Sequence, residues 1–173
     1  EVPFGDLGDM LEETQRLIDA GTPVIAEASF ALDGLFCSVD ILRNKGNGHV
    51  EIYEVKSSTA VSEIYLHDTA YQQYVLGGLG YKVDGVYLVH INPCYVRHGE
   101  IDLDELFVIE DVKCYTDCRQ TGIRDFLPEL ERIMESDYEP CCDVGCHCNK
   151  PYTCGYFDYC TGRLEHPNVF DIS

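Results

Sequence analysis

The chain has 173 residues, 45% of them apolar and 25% charged, which excludes collagen-like, low-complexity and disordered classes and suits one soluble domain with a real core. Lys and Arg number 12 against 31 Asp and Glu, a net charge of −19. Such a surface repels polyanions at long range and, taken alone, argues against a nucleic-acid binder.

Residues 9–20 place Met10, Leu11, Leu17 and Ile18 at helical spacing, with Gly21 as a stop. Residues 24–32 are rich in β-formers, Asp33-Gly34 signals a hairpin, and residues 35–43 form a second strand. A turn over 44–48 and a third strand over 49–57 complete an antiparallel meander. Residues 62–77 read as a helix with Ile64, Ala70, Tyr71, Tyr74 and Val75 on its apolar side, loosened by the glycines at 77, 78 and 80. Residues 83–91 are almost continuously apolar, which predicts a buried central strand. Shorter strands are expected at 95–97 and 106–112 around a turn at His98-Gly99. A helix follows over 123–136, with Pro128 in its first turn or at a kink. The order helix, three-strand meander, helix, strand predicts an α/β core over residues 1–136, followed by a cysteine-rich tail over 137–173 packed on it.

Ten cysteines are many for this length. Cys37, Cys94, Cys114 and Cys118 are scattered and read as plain thiols, whereas Cys141, Cys142, Cys146, Cys148, Cys154 and Cys160 crowd into the tail. The preceding core looks self-sufficient, so the crowding reads better as a metal or iron–sulfur site than as a disulfide scaffold. No apolar run reaches the ~18 residues of a membrane helix and no targeting peptide opens the chain, which predicts a cytoplasmic protein with no membrane attachment. The chain starts on Glu1 and stops soon after Val169, which predicts a piece of a longer protein.

Glu54 and Lys56 lie two apart on the third strand, so they share a face, with Val55 expected to point into the core. An isolated pair of this kind is usually a surface ion pair of little worth. Here, closing the 44–48 turn also brings Asp40 within a residue or two of Glu54. Two carboxylates so close repel unless a cation or proton lies between them. Hard oxygens favour Mg²⁺, which takes one or two carboxylates and keeps waters for a phosphate substrate. Lys56 would orient or deprotonate a bound water, or stabilise charge on an attacked phosphodiester. Asp68 and Gln72, four apart on the next helix, share a face; Gln72 is either a solvated polar residue or a hydrogen-bond partner for phosphate or water.

Asp40, then Glu54-Val55-Lys56, then Gln72, together with the runs VIAEASFALDGLFCSVDIL, IYEVKSST, DTAYQQYVL and GVYLVHINPCYVRHGEID, resemble the PD-(D/E)xK nuclease superfamily of RecB type, in particular RecB-like nucleases related to the CRISPR adaptation exonucleases. The resemblance spans roughly residues 8–160. It implies a restriction-endonuclease-like core and Mg²⁺- or Mn²⁺-dependent hydrolysis of DNA, exonuclease rather than endonuclease. It implies Asp40 and Glu54 as metal ligands with the Val55 carbonyl, Lys56 as the catalytic lysine, and Gln72 as the Gln of a Q-x-x-x-Y motif. The Tyr of that motif falls on Leu76, and residues 9–20 lack the metal-ligating His of many relatives. That His is expected before Glu1, or the first helix is not the equivalent one; Glu27 is a candidate substitute. Cys148, Cys154 and Cys160 resemble the C-terminal cysteines of relatives that carry a [4Fe–4S] cluster. No cysteine precedes Cys37, so the fourth ligand is expected from a missing segment or from Cys141, Cys142 or Cys146, with Zn²⁺ as the alternative occupant. The competing functional expectation is a catalytically silent nuclease-like module used for protein interaction or for metal or cluster binding, which the acidic surface motivates. DNA binding by the nuclease would draw on missing segments or a partner protein.

Overall fold

A computed structural model describes residues 1–165 and 167–169. The chain divides into two compact units, residues 1–129 and 130–173.

The first unit opens with α1 (Leu7–Asp19), β1 (Val24–Leu32), β2 (Leu35–Gly46) and β3 (His49–Lys56). Asp6 caps α1 by accepting the Gly8 N–H at 2.9 Å. Thr14, 2% exposed, accepts the Ser29 N–H at 2.9 Å and so ties α1 to β1. Both hairpins turn on paired positive-φ residues, Asp33-Gly34 and Asn47-Gly48, the combination that matches the strands' own twist. The second turn is two residues, tighter than expected, because β2 continues to Gly46.

Next come α2 (Glu63–Gly78), β4 (Lys82–Ile91), the single turn α3 (Leu103–Leu106), β5 (Phe107–Asp111) and α4 (Lys113–Met134), which runs on into the second unit. The sheet order is β1-β2-β3-β4-β5, antiparallel except for the β3–β4 pair. A parallel neighbour requires a crossover, and α2 supplies it. This is the helix, meander, helix, strand order expected of a restriction-endonuclease-like core.

Ile25, Leu42, Ile52 and Val86 stand level across four strands, and each is fully buried. This row anchors the core. Two residues further along β3 and β4 on the same face, Glu54 stands level with Leu88. The polar group therefore begins where the apolar row ends.

Several expectations need correction. Residues 95–97 are not a strand: the Asn92 side chain accepts the Cys94 N–H and starts a loop, and Asp102 then caps α3. β4 is buried on one face only, at Val86, Leu88 and His90, and lies second from the sheet edge. α4 starts ten residues earlier than expected, so Pro128 falls well inside it. Contacts with α2 stabilise that early part, since Thr116 Oγ1 donates to Gln73 Oε1 at 2.5 Å and Gln120 Nε2 donates to the Ala70 carbonyl at 3.0 Å. On α2, Leu66, Thr69, Ala70, Gln72, Gln73, Val75 and Leu76 are buried, not Ile64, Tyr71 or Tyr74. Buried partners for Gln72 and Gln73 displaced the simple apolar stripe.

The second unit holds a 3-10 turn, Cys146–Asn149, and α5, Phe157–Thr161. The Cys154 N–H donates to the Cys148 carbonyl at 2.7 Å, and Glu139 accepts from Tyr159 and Arg163. No helix among the described residues is long and apolar enough to cross a membrane.

Candidate functional site

The β2–β3 ladder runs as far as Ile41 opposite Tyr53, one residue short of Asp40 and Glu54. There the side chain replaces the ladder: Asp40 Oδ2 accepts the Val55 N–H at 2.7 Å. A charge-assisted bond of this kind fixes the carboxylate on the backbone of the residue next to Glu54.

Glu54 is 5% exposed. A buried carboxylate is costly unless its oxygens are satisfied, and here each has a donor. Lys56 Nζ donates to Oε1 at 2.7 Å, and Gln72 Nε2 donates to Oε2 at 2.8 Å. Burial, reinforced by the nearby Asp40 charge, pushes the Glu54 carboxyl above its ordinary value against the pull of these bonds. The expected direction of Val55 is reversed: it is 39% exposed, because α2 covers the Glu54–Lys56 face through Asp68 and Gln72.

Lys56 Nζ also donates to Asp68 Oδ2 at 2.6 Å, and it lies 5.4 Å from the centre of the Tyr65 ring. Burial works against its charge, yet the hydrogen bonds to Asp68 and Glu54 hold its pKa above the ordinary lysine value. Gln72 is 3% exposed, and its Oε1 is a buried acceptor without a partner among the described residues. Gln72 is thus a buried member of the cluster rather than a solvated helix residue.

Glu27 stands level with Asp40 on β1, between the paired Ala26 and Ala28, with a left-handed backbone (φ 57°). It is exposed, and no hydrogen bond or ion pair joins its side chain to the Glu54 group among the described residues. Sequence reading missed His90, which is 5% exposed and level with Lys56 across the parallel ladder. Its Nε2 lies 2.8 Å from Glu110 Oε1, and that bond raises its pKa. Strand alternation from Val86 and Leu88 was the available signal. Cys37 is buried near the cluster; burial, with the charges of Asp68 and Glu54, pushes its thiol up to about 12. At neutral pH it is an inert thiol.

Asp40, Glu54 and the Val55 carbonyl are hard oxygen donors of the kind Mg²⁺ and Mn²⁺ take, and two carboxylates leave coordination positions for water. Burial and the Asp40 charge both oppose ionised Glu54, a tension that a cation between the two carboxylates would relieve. Neither they nor the tail cysteines form a group of three Cys, His, Asp or Glu able to hold a metal ion among the described residues. All ten cysteines are free thiols, and only Cys37 and Cys148 are buried. Cys148, Cys154 and Cys160, with Cys141, Cys142 and Cys146, thus stand apart as ligands in this structure and do not present a formed cluster or zinc site.

No protein-family model matches the sequence, and no curated protein matches it. Among solved structures, the chain is similar to an alkaline exonuclease, LHK-Exo, from Laribacter hongkongensis, at 11% identity and a TM-score of 0.36, over 70% of this chain and 68% of that one. It is also similar to the protein SSO0001, at 14% identity and a TM-score of 0.31, over 70% of this chain and 59% of that one.

Proposed function

We propose that this chain is a divalent-metal-dependent DNA nuclease of the RecB-like PD-(D/E)xK type, acting as an exonuclease. The observation that carries the reading is the cluster on one sheet face: Glu54 bonded to both Lys56 and Gln72, with Asp40 fixed on the Val55 N–H beside it. An isolated surface ion pair would need neither the buried glutamine nor the second carboxylate.

In this reading Asp40, Glu54 and the Val55 carbonyl hold Mg²⁺ or Mn²⁺, which when bound would lower the pKa of a water and neutralise phosphate charge. The Val55 N–H orients Asp40, and the Gln72 amide orients Glu54. Lys56, gripped by two carboxylates, keeps its proton and serves as a hydrogen-bond donor to a phosphate oxygen where charge develops, rather than as a base. The net charge of −19 makes unaided DNA binding weak, so a partner protein or further chain belongs to the reading. The same charge favours a second reading, a silent nuclease-like module that binds metal without cleaving. A [4Fe–4S] cluster or Zn²⁺ in the tail would require Cys148, Cys154 and Cys160 to converge with a fourth thiol, and no step above depends on it.

The test is degradation of end-labelled single- and double-stranded DNA with Mg²⁺, with Mn²⁺ and with a chelator. Stepwise shortening that needs the cation and disappears in Asp40→Asn and Lys56→Met is expected. Full activity in either variant overturns the nuclease reading, and tight metal uptake without cleavage selects the silent module.

A further inference from the structure

Lys56 has three N–H donors. Two are taken, by Glu54 Oε1 at 2.7 Å and Asp68 Oδ2 at 2.6 Å, and the Tyr65 ring lies 5.4 Å away. The third N–H is open, but a phosphodiester oxygen that bonds there meets the Asp68 carboxylate on the same ammonium, and it gains the full charge of Lys56 only if one carboxylate yields. Glu54 cannot: it is 5% exposed and its other oxygen is held by Gln72. Asp68 can. Its side chain is 40% exposed, it lies on α2 one turn before Gln72, and it is tied to the site by its hydrogen bond to Lys56.

We infer that Asp68 is an internal stand-in for substrate phosphate, a latch that occupies Lys56 until a nucleic-acid phosphate displaces it. A carboxylate and a phosphate present the same chemistry to an ammonium, an anionic oxygen at charge-assisted hydrogen-bond distance. The exchange is therefore nearly balanced at Lys56, while Asp68 remains a repulsive charge beside the incoming backbone. The latch sets a threshold: weak, adventitious polyanions do not open the site, and a substrate delivered in register does. In a chain this acidic the latch also keeps the one ammonium of the cluster from being neutralised by other anions. This inference rests on the nuclease reading and adds to it a residue that acts through Lys56, a positioning and gating residue rather than a catalytic one.

The test is binding of a 5′-phosphorylated single-stranded oligonucleotide by fluorescence anisotropy, with Ca²⁺ replacing Mg²⁺ to prevent turnover. Wild type, Asp68→Asn, Asp68→Glu, Lys56→Met and the Lys56→Met/Asp68→Asn double variant are compared, each checked for an unchanged circular-dichroism spectrum. Asp68→Asn is expected to bind roughly three- to fivefold tighter, the scale of one partly exposed ion pair. Asp68→Glu restores wild-type affinity, and the gain vanishes in the Lys56→Met background. In cleavage assays the Asp68→Asn effect falls mainly on KM. Equal or weaker binding by Asp68→Asn overturns the latch, as does a gain that persists without Lys56, which would mark a general charge effect. No binding by any variant, with no cleavage by wild type, overturns the latch together with the nuclease reading. Wild-type cleavage without the Asp68→Asn gain overturns the latch alone.

Discussion

Replacing Lys56 with Met removes the ammonium and keeps most of the side chain's volume. Glu54, 5% exposed, then retains a single neutral donor, Gln72 Nε2 at 2.8 Å. Breaking a fully buried ion pair by deleting one partner costs about 3–5 kcal/mol. Lys56 is 21% exposed in its side chain and Asp68 40%, so solvent recovers part of that loss, and we expect about 2–3 kcal/mol at mildly alkaline pH. The loss depends on pH because Glu54 can escape by taking a proton. Its folded pKa already lies above the ordinary 4.5, and without the ammonium it rises further. A carboxyl with a raised folded pKa stabilises the fold at low pH, and that contribution is lost as pH climbs through the folded value. The variant should therefore approach wild type at acid pH, where Glu54 is protonated, and fall away from it as pH rises through the folded value. Urea unfolding across that range, with slopes checked for constancy, measures the gap. A gap that is the same at both ends, or smaller than about 0.5 kcal/mol throughout, would refute the claim that Lys56 compensates a buried carboxylate.

Gln72→Leu removes a donor to Glu54 together with an unpartnered carbonyl, so the net loss in urea unfolding should be only about 1 kcal/mol, while DNA cleavage falls sharply because Glu54 loses its orientation. Thr14→Val leaves the buried Ser29 N–H without its acceptor and should cost about 1–3 kcal/mol, read as a lower urea midpoint with activity following stability. The His90 pKa is raised by Glu110, so its contribution is full below the unfolded value and declines as pH rises through the folded one. His90→Gln should flatten the wild-type stability profile in that window, and an unchanged profile would count against the His90–Glu110 pair. Glu27 has a positive φ in mid-strand, where a residue with a Cβ costs roughly 1–2 kcal/mol; Glu27→Gly should leave stability unchanged or higher in thermal unfolding, and a clear loss would show that its side chain is held.

Much of the fold was readable because the local signals agreed. Asp33-Gly34 fixed the first hairpin, and the alternation on either side of the second turn set the register that brings Asp40 within reach of the Val55 N–H beside Glu54. Gln72 was placed on the right helix but its burial was not readable, because a buried amide depends on a carboxylate from a strand 18 residues earlier. The Val55 error has the same origin: an apolar residue between two charged ones points inward by default, and only tertiary partners for Glu54 and Lys56 reverse it. The early start of α4 was hidden because residues 113–122 have little apolar periodicity, and their helix is held by side-chain bonds from Thr116 and Gln120 to α2. The cysteine spacing in the tail suggested ligands, while the structure leaves those thiols ungathered, so metal content is a property to measure in the isolated protein.

The proposed hydrolysis requires Asp40 and Glu54 to share a divalent cation. Calorimetric titration of Mn²⁺ into wild type, Asp40→Asn and Glu54→Gln tests this directly, with the other surface carboxylates as a common background. One wild-type site tighter than that background, lost in both variants, is the predicted result. Retention of the tight site in Asp40→Asn, or its absence from wild type, would contradict the claim.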